Sequence, residues 1–132
     1  DPGLRFPLHT AAPGKAILAA LPHQHADAIL GRMRLERFTD NTITSLPELQ
    51  QELTRTHARG YGTDLGEEEE GQHCVGVALR DHHGYPVGAL WITAPSSRLP
   101  ASHCAKIASH LQTTARMISE KLDRQPVRNA AS

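Results

Sequence analysis

Residues 60–95 read G-Y-G-T-D-L-G-E-E-E-E-G-Q-H-C-V-G-V-A-L-R-D-H-H-G-Y-P-V-G-A-L-W-I-T-A-P, and their second half carries the pattern of a β-hairpin. Two alternating runs, 74–80 and 85–94, flank Asp81-His82-His83-Gly84, a cluster of turn-forming residues. Side chains of a strand alternate between faces, so Val75, Val77 and Leu79 share one side and Cys74, Gly76 and Ala78 the other. The first side is a core face, and the second is unusually small. A four-residue turn over 81–84 would set Arg80 opposite Tyr85, Cys74 opposite Trp91 and Gln72 opposite Thr93. A slip of one residue would carry Trp91 to the other face. In that register the small face is a shallow bay with an indole wall, a thiol and a hydroxyl, and Asp64 and the amides of 67–71 sit at its rim. Small-molecule sites have that make-up, mostly apolar with a few placed polar groups. Taken alone, the hairpin favours a plainer account, in which small residues let a helix pack closely on the sheet.

Outward from the hairpin the pattern turns helical. Ser45-Leu46-Pro47-Glu48 is a capping box, Leu46, Leu49 and Leu53 form a stripe, and Gly60 supplies a left-handed stop, which together predict a helix over 45–60. Ahead of it 38–42 reads as polar loop, and Pro22 with Ala26, Ile29, Leu30 and Met33 predicts a short helix. Residues 9–15 form a small-residue loop leading into the apolar run 16–21, with a helix that starts at Thr10 or Ala11 and stops before Pro22. Residues 61–64 read as a first strand and 67–70 as a solvated acidic turn. Downstream, Cys104, Ile107, Ala108, Leu111, Ala115, Ile118 and Leu122 recur at helical steps, a long amphipathic helix over 100–122. Residues 1–7 read as a lead-in from something longer, and the polar tail from Gln125 as frayed. Hairpin strands beside segregated helices predict an α+β domain, an antiparallel sheet packed with helices. Three strands are few for so many helices, so further strands are expected upstream of Asp1.

A chain of 132 residues, 39% of them hydrophobic, fits one globular domain. No apolar run approaches the ~20 residues a membrane-spanning helix needs. Two cysteines, Cys74 and Cys104, do not make a disulfide framework, which points to a reducing cytoplasm. Lysine plus arginine balance aspartate plus glutamate at 14 each, and no basic stripe marks a nucleic-acid face. Nine histidines suggest metal binding, but His23 with His25, His82 with His83, and His103, Cys104 and His110 lack the paired spacing of a zinc site. Solvated histidines, and neither metal nor cofactor, are the expectation. An enzyme built on Cys74 would need an activating base. His73, its chain neighbour, points to the opposite strand face, so the expectation is no enzyme and a structural or ligand-contacting thiol.

Four stretches, taken in order, carry a family resemblance: L-H-T-A-A-P-G-K-A-I-L-A at 8–19; R-F-T-D-N-T-I-T at 37–44; R-G-Y-G-T-D at 59–64 with E-E-E-E-G-Q-H-C-V-G-V at 67–77; and D-H-H-G-Y-P-V-G-A-L-W-I-T-A-P-S-S-R-L at 81–99. With compatible spacing from Leu8 to about Leu122, they resemble the C-terminal effector-binding domain of the IclR family of bacterial transcriptional regulators. The resemblance implies a GAF/profilin-like fold that binds a small organic acid or aromatic metabolite. It implies self-association as dimers or tetramers, and control of operator binding by an N-terminal winged helix-turn-helix domain. Residues 1–132 would then be a partial effector-binding domain, with the DNA-binding domain outside this chain.

The same resemblance implies the site. A loop whose amides meet a ligand carboxylate corresponds to Ala12 and Pro13, with Gly14 beside them. An acidic pocket residue corresponds to Asp64, a pocket cysteine to Cys74, and two small hydroxyl residues of the last strand to Trp91 and Thr93. Gln72 joins them on the face of Cys74. Two departures bear on the ligand: Pro13 has no N–H to donate, and Trp91 brings apolar bulk where the family has a small polar group. Both favour a ligand with an aromatic or extended apolar part against Trp91 and a polar end at Thr93, Asp64 or the loop amides. The competing expectation is that Trp91 fills the pocket and the domain is an oligomerisation scaffold without a ligand.

Overall fold

A computed structural model describes residues 8–124, with only the backbone of Arg124; the lead-in 1–7 and the tail from Gln125 lie outside the described residues. The elements are α1 (Ala12–Ala20), α2 (His23–Leu30), α3 (Leu46–Arg59), β1 (Gly62–Leu65), β2 (Gln72–Arg80), β3 (Pro86–Pro95) and, after a 3-10 turn over Ala101–His103, α4 (Cys104–Arg124). The strands form one antiparallel sheet in the order β1-β2-β3, and the class is α+β as predicted. Among the described residues no helix is long and apolar enough to cross a membrane.

Local chemistry sets the helix ends. Ser45 Oγ accepts from the Glu48 amide at 3.3 Å, and Gly60 closes α3 with φ of 86°, a left-handed conformation that costs glycine little. Replacing Ser45 with alanine should therefore cost about 1 kcal/mol of stability, read from a urea unfolding midpoint. The buried stripe of α3 is corrected by one position. Leu46 is 39% exposed, and Leu49, Glu52, Leu53 and Thr56 face inward at helical spacing. In α4, Cys104, Ala108 and Ala115 are buried, while Leu122, expected on that stripe, is half exposed.

The sheet is covered on both faces. Val75 packs with Leu99, Cys104 and Ala108 under α4. On the small-residue face lies α1, backed in turn by α2 and α3 through a cluster of Leu18, Leu30, Leu49 and Leu53. The closeness of α1 depends on paired glycines. Gly62 and Gly76 are cross-strand partners, and a Cβ on Gly76 would lie 2.7 Å from Pro13 N and 2.9 Å from Ala12 C. One on Gly62 would lie 2.5 Å from Ala12 O. The packing account of the small face is thus correct for the Gly62–Gly76 pair.

The hairpin register differs from the expected one by two residues. Cys74 stands opposite Thr93, Gly76 opposite Trp91 and Gln72 opposite Pro95. One residue of the difference arises in the turn, where Asp81 Oδ1 accepts from His83 N and Tyr85 N and Asp81 N donates to Tyr85 O, so that Tyr85 joins the loop. The other is a bulge: Arg80 pairs with Pro86 and Leu79 with Gly88, which leaves Val87 as the extra residue. A shift of two preserves faces, because side chains alternate with period two. Trp91 therefore stays on the side of Cys74.

Candidate functional site

Asp64, Cys74 and Thr93 form one row across the three strands, and Gly62, Gly76 and Trp91 form the next. The N-terminus of α1 lies across the glycines of the second row. Beside it opens a cavity of about 210 Å³ lined by Ala11, Pro13, Asp64, Glu68, Glu69, Gln72, His73, Cys74, Trp91 and Thr93. Its floor is buried, with Cys74 and Asp64 at 6% and 7% exposure, and its walls are open, with Trp91 at 53%. Trp91 is thus a wall and does not plug the bay. An apolar cavity of about 150 Å³ is enough for benzene, so this one has room for a single substituted ring.

Of the residues expected at the site, Pro13, Asp64, Gln72, Cys74, Trp91 and Thr93 line this cavity. Ala12 is fully buried, and its amide contributes at Cys74 rather than at the cavity surface. Gly14 does not reach the bay; a Cβ there would meet Leu8, 3.1 Å from its Cα. Pro13 is the second residue of α1, where its missing N–H interrupts no helical bond but leaves one donor fewer at the helix end.

Burial pushes the Asp64 carboxyl above its ordinary range, with the Glu67 and Glu68 amides and the Lys15 charge acting in the other direction. Its Oδ1 accepts from Glu67 N at 2.7 Å. Burial likewise pushes the Cys74 thiol up, against hydrogen bonds from Thr93 and the Ala12 amide, and the Asp64 charge adds to the rise. A thiol held protonated is a poor nucleophile. His73 Nδ1 is occupied on the other side of the strand by Leu99 O at 2.7 Å. Among the described residues no group of histidine, cysteine, aspartate or glutamate could hold a metal ion.

Behind the bay lies a charged cluster that local patterns did not reveal. Lys15, within the helix expected from Thr10 or Ala11, belongs to α1 and is 0% exposed. Its Nζ contacts Glu67 Oε1 at 2.6 Å, Thr63 O at 2.8 Å and Glu52 Oε2 at 3.0 Å. Glu67, expected in a solvated turn, is buried, and so is His9, whose Nε2 meets Glu36 O at 2.8 Å. One ammonium shared by two carboxylates leaves them unequal. For Glu52, burial raises the carboxyl, but Lys15 with Arg59 and Arg55 more than offsets this and holds it below its usual range. For Glu67, burial outweighs Lys15, and the neighbouring Asp64 adds to the rise. The signal in sequence was a lysine three residues after Ala12 and three before Leu18, inside an otherwise apolar helix face.

The acidic loop is further buttressed by residues 37–44. Thr42 Oγ1 donates to Glu67 O and Thr39 Oγ1 to Gly66 O, each at 2.6 Å. The loop closes on itself through Gly66 N to Gln72 O at 3.0 Å. Its backbone is therefore fixed from two sides, while the exposed Glu68 and Glu69 line the bay.

Two larger hollows, of about 550 and 540 Å³, lie elsewhere, one between the hairpin turn and α4 and the other between α1, α2 and α3. Arg80, His82, Arg116, Glu120 and Asp123 of the first are solvent-exposed. Size alone favours these two. The smaller bay is the better candidate because its floor carries buried, electrostatically shifted polar groups, the mark of a built site.

The fold is that of the C-terminal domains of a class of bacterial transcriptional regulators. Residues 1–120 match the family described as Bacterial transcriptional regulator IclR C-terminal. The HTH-type transcriptional repressor AllR of Klebsiella pneumoniae is 37% identical over 124 residues, 94% of this chain and 46% of AllR. The crystal structure of Thermotoga maritima IclR superposes with a TM-score of 0.83 at 36% identity, over 88% of this chain and 47% of that one. The C-terminal domain of the E. coli transcriptional regulator KdgR gives a TM-score of 0.84 at 34% identity, over 92% of this chain and 74% of that domain. The chain belongs to the IclR C-terminal family, a family of transcriptional regulators and not of enzymes. It spans less than half the length of the curated relatives it matches.

Proposed function

We propose that this chain is the effector-sensing part of a bacterial transcriptional regulator, and that the bay between α1 and the strand row Asp64–Cys74–Thr93 holds a small organic metabolite. The observation that carries the reading is the convergence on one bay of a buried carboxylate, a buried thiol, a hydroxyl and a half-exposed indole, in a chain of this family. Of the two ligand classes the resemblance implies, an organic acid or an aromatic metabolite, the Trp91 wall favours the aromatic. Aromatic pairs contribute about 0.5–1.5 kcal/mol beyond burial. The polar end of the ligand is held by Thr93, Gln72 and Asp64, with Ala11 and Pro13 providing the lip of α1. Occupancy then biases an assembly or conformational equilibrium of a cytoplasmic dimer or tetramer, and operator binding follows through a DNA-binding domain that is not in this chain.

Calorimetry with a panel of single-ring aromatic compounds and short carboxylic acids tests this. Saturable binding to the wild-type chain that is weakened about tenfold by Trp91→Ala, a loss of roughly 1.4 kcal/mol, is the expected result. Absence of binding across the panel would leave the oligomerisation scaffold as the better account.

A further inference from the structure

The charge of the bay narrows its ligand further, on the reading that the bay is the effector site. Asp64, Glu68 and Glu69 line it, and among the described residues no lysine or arginine does. The Lys15 ammonium lies behind the acidic loop and is already shared by Glu52 and Glu67. Of the imidazoles, His73 is bonded to Leu99 O, and His9, which acts on Glu68, is bonded to Glu36 O and stacked on Phe38. Partial burial first, and then repulsion by Asp64 and Glu69, raises the Glu68 carboxyl, with His9 acting in the other direction. The helix end that could answer an anion has lost a donor at Pro13 and has its Ala12 amide directed to the Cys74 sulfur. The bay is thus rich in hydrogen-bond acceptors and poor in groups that stabilise an anion.

We propose that the bay selects a single-ring ligand that is uncharged or cationic and donates hydrogen bonds, an aromatic amide or amine, and discriminates against the corresponding carboxylate. The ring lies against Trp91 and its N–H or O–H groups face the acidic rim. A carboxylate in the same place meets like charge in a partly dehydrated site, an arrangement that costs specificity-determining energy.

A matched set with one ring and three charges tests the proposal: benzylammonium, benzamide and benzoate. Affinities for the full 132-residue chain are read from the fluorescence or indole N–H resonance of Trp91, its single tryptophan. Benzamide and benzylammonium are expected to bind about tenfold or more tightly than benzoate at neutral pH. In Glu68→Gln/Glu69→Gln, changed at two exposed positions and checked for an unchanged urea midpoint, the gap should narrow severalfold. Benzoate binding as tightly as benzamide, or a gap unmoved in the double variant, overturns the charge selection while leaving the bay as an effector site. No binding by any of the three overturns the effector-site reading, and this inference with it.

Discussion

Lys15→Ala should cost about 3–5 kcal/mol of stability, read as a lowered urea midpoint with an unchanged slope. A domain of this kind has about 5–15 kcal/mol in total, so the variant will sit at the edge of folding. The reason is the state of the groups left behind. Removing the ammonium takes the buried cation from Glu52 and Glu67, both buried, leaving Glu52 with Arg55 and Arg59 and Glu67 with the Leu65 amide, and frees the carbonyl of Thr63. The loss concerns more than the core, because the same ammonium ties α1 to α3 and to the acidic loop that carries Glu68 and Glu69 to the bay.

The two carboxylates are not equivalent, and this refines the expectation. Glu52 is held below its usual range in the folded chain, so its charge contributes stability above that range and loses it as the pH falls. Glu67 is pushed above its usual range, so its contribution is present at low pH and is lost as the pH rises through its folded value. Glu52→Gln should accordingly destabilise more than Glu67→Gln at neutral pH. The Glu67→Gln variant should also lack part of the gain in stability that the wild type shows on mild acidification. Equal losses in the two variants would contradict the unequal sharing of Lys15.

Gly76→Ala should be a damaging single-methyl addition in the sheet, at about 1–3 kcal/mol or more. The added carbon meets Pro13 N and Ala12 C, backbone atoms that cannot rotate away as a side chain would. To relieve the contact α1 must lift from the sheet, which withdraws Ala11 and Pro13 from the bay and alters the surroundings of Trp91 on the adjacent strand. Thermal unfolding and Trp91 emission should therefore change together. Gly71→Ala is the control. Its φ of 79° is left-handed, but a Cβ there meets nothing within 4 Å. It should cost about 1 kcal/mol, from backbone conformation alone, and leave the Trp91 signal in place.

The parts of the fold legible in sequence are those with local causes. Ser45 and Gly60 fixed the ends of α3, the apolar spacing identified α4, and strand alternation with a turn cluster identified the hairpin. The assignment of Asp64, Cys74, Trp91 and Thr93 to one face survived because the register was displaced by two residues rather than one. Neither source of the displacement was visible beforehand. Recruitment of Tyr85 into the turn depends on where the Asp81 carboxylate directs its bonds, and the bulge at Val87 depends on how β3 lies on β2. Hidden too were the long-range pairings. Lys15 meets Glu52 and Glu67 across 37 and 52 residues of sequence, and four consecutive glutamates give no local sign that the first is buried. Leu46 was misplaced because apolar spacing alone does not tell which residues of the first turn of α3 are covered, and Leu46 is 39% exposed there. The helix face that meets α1 begins at Leu49.

The small face illustrates how packing and site share one surface. Its glycine row supports α1 at close range, and the row beside it, with longer side chains, floors the bay where the helix ends. A bay results because α1 terminates at Ala12, with Ala11 and Pro13 as its lip, and Trp91 extends past it. Composition therefore indicated both uses, and only the position of the helix end separates them.

The most direct measurement is an amide and indole chemical-shift map of the labelled chain titrated with benzamide. Saturable shifts centred on the Trp91 indole N–H and the amides of Asp64, Cys74 and Thr93, and lost in Trp91→Ala, are the predicted result. Shifts confined to Gln112, Arg116 and the hairpin turn, in the larger hollow against α4, would contradict it, as would a titration that moves no resonance around the bay.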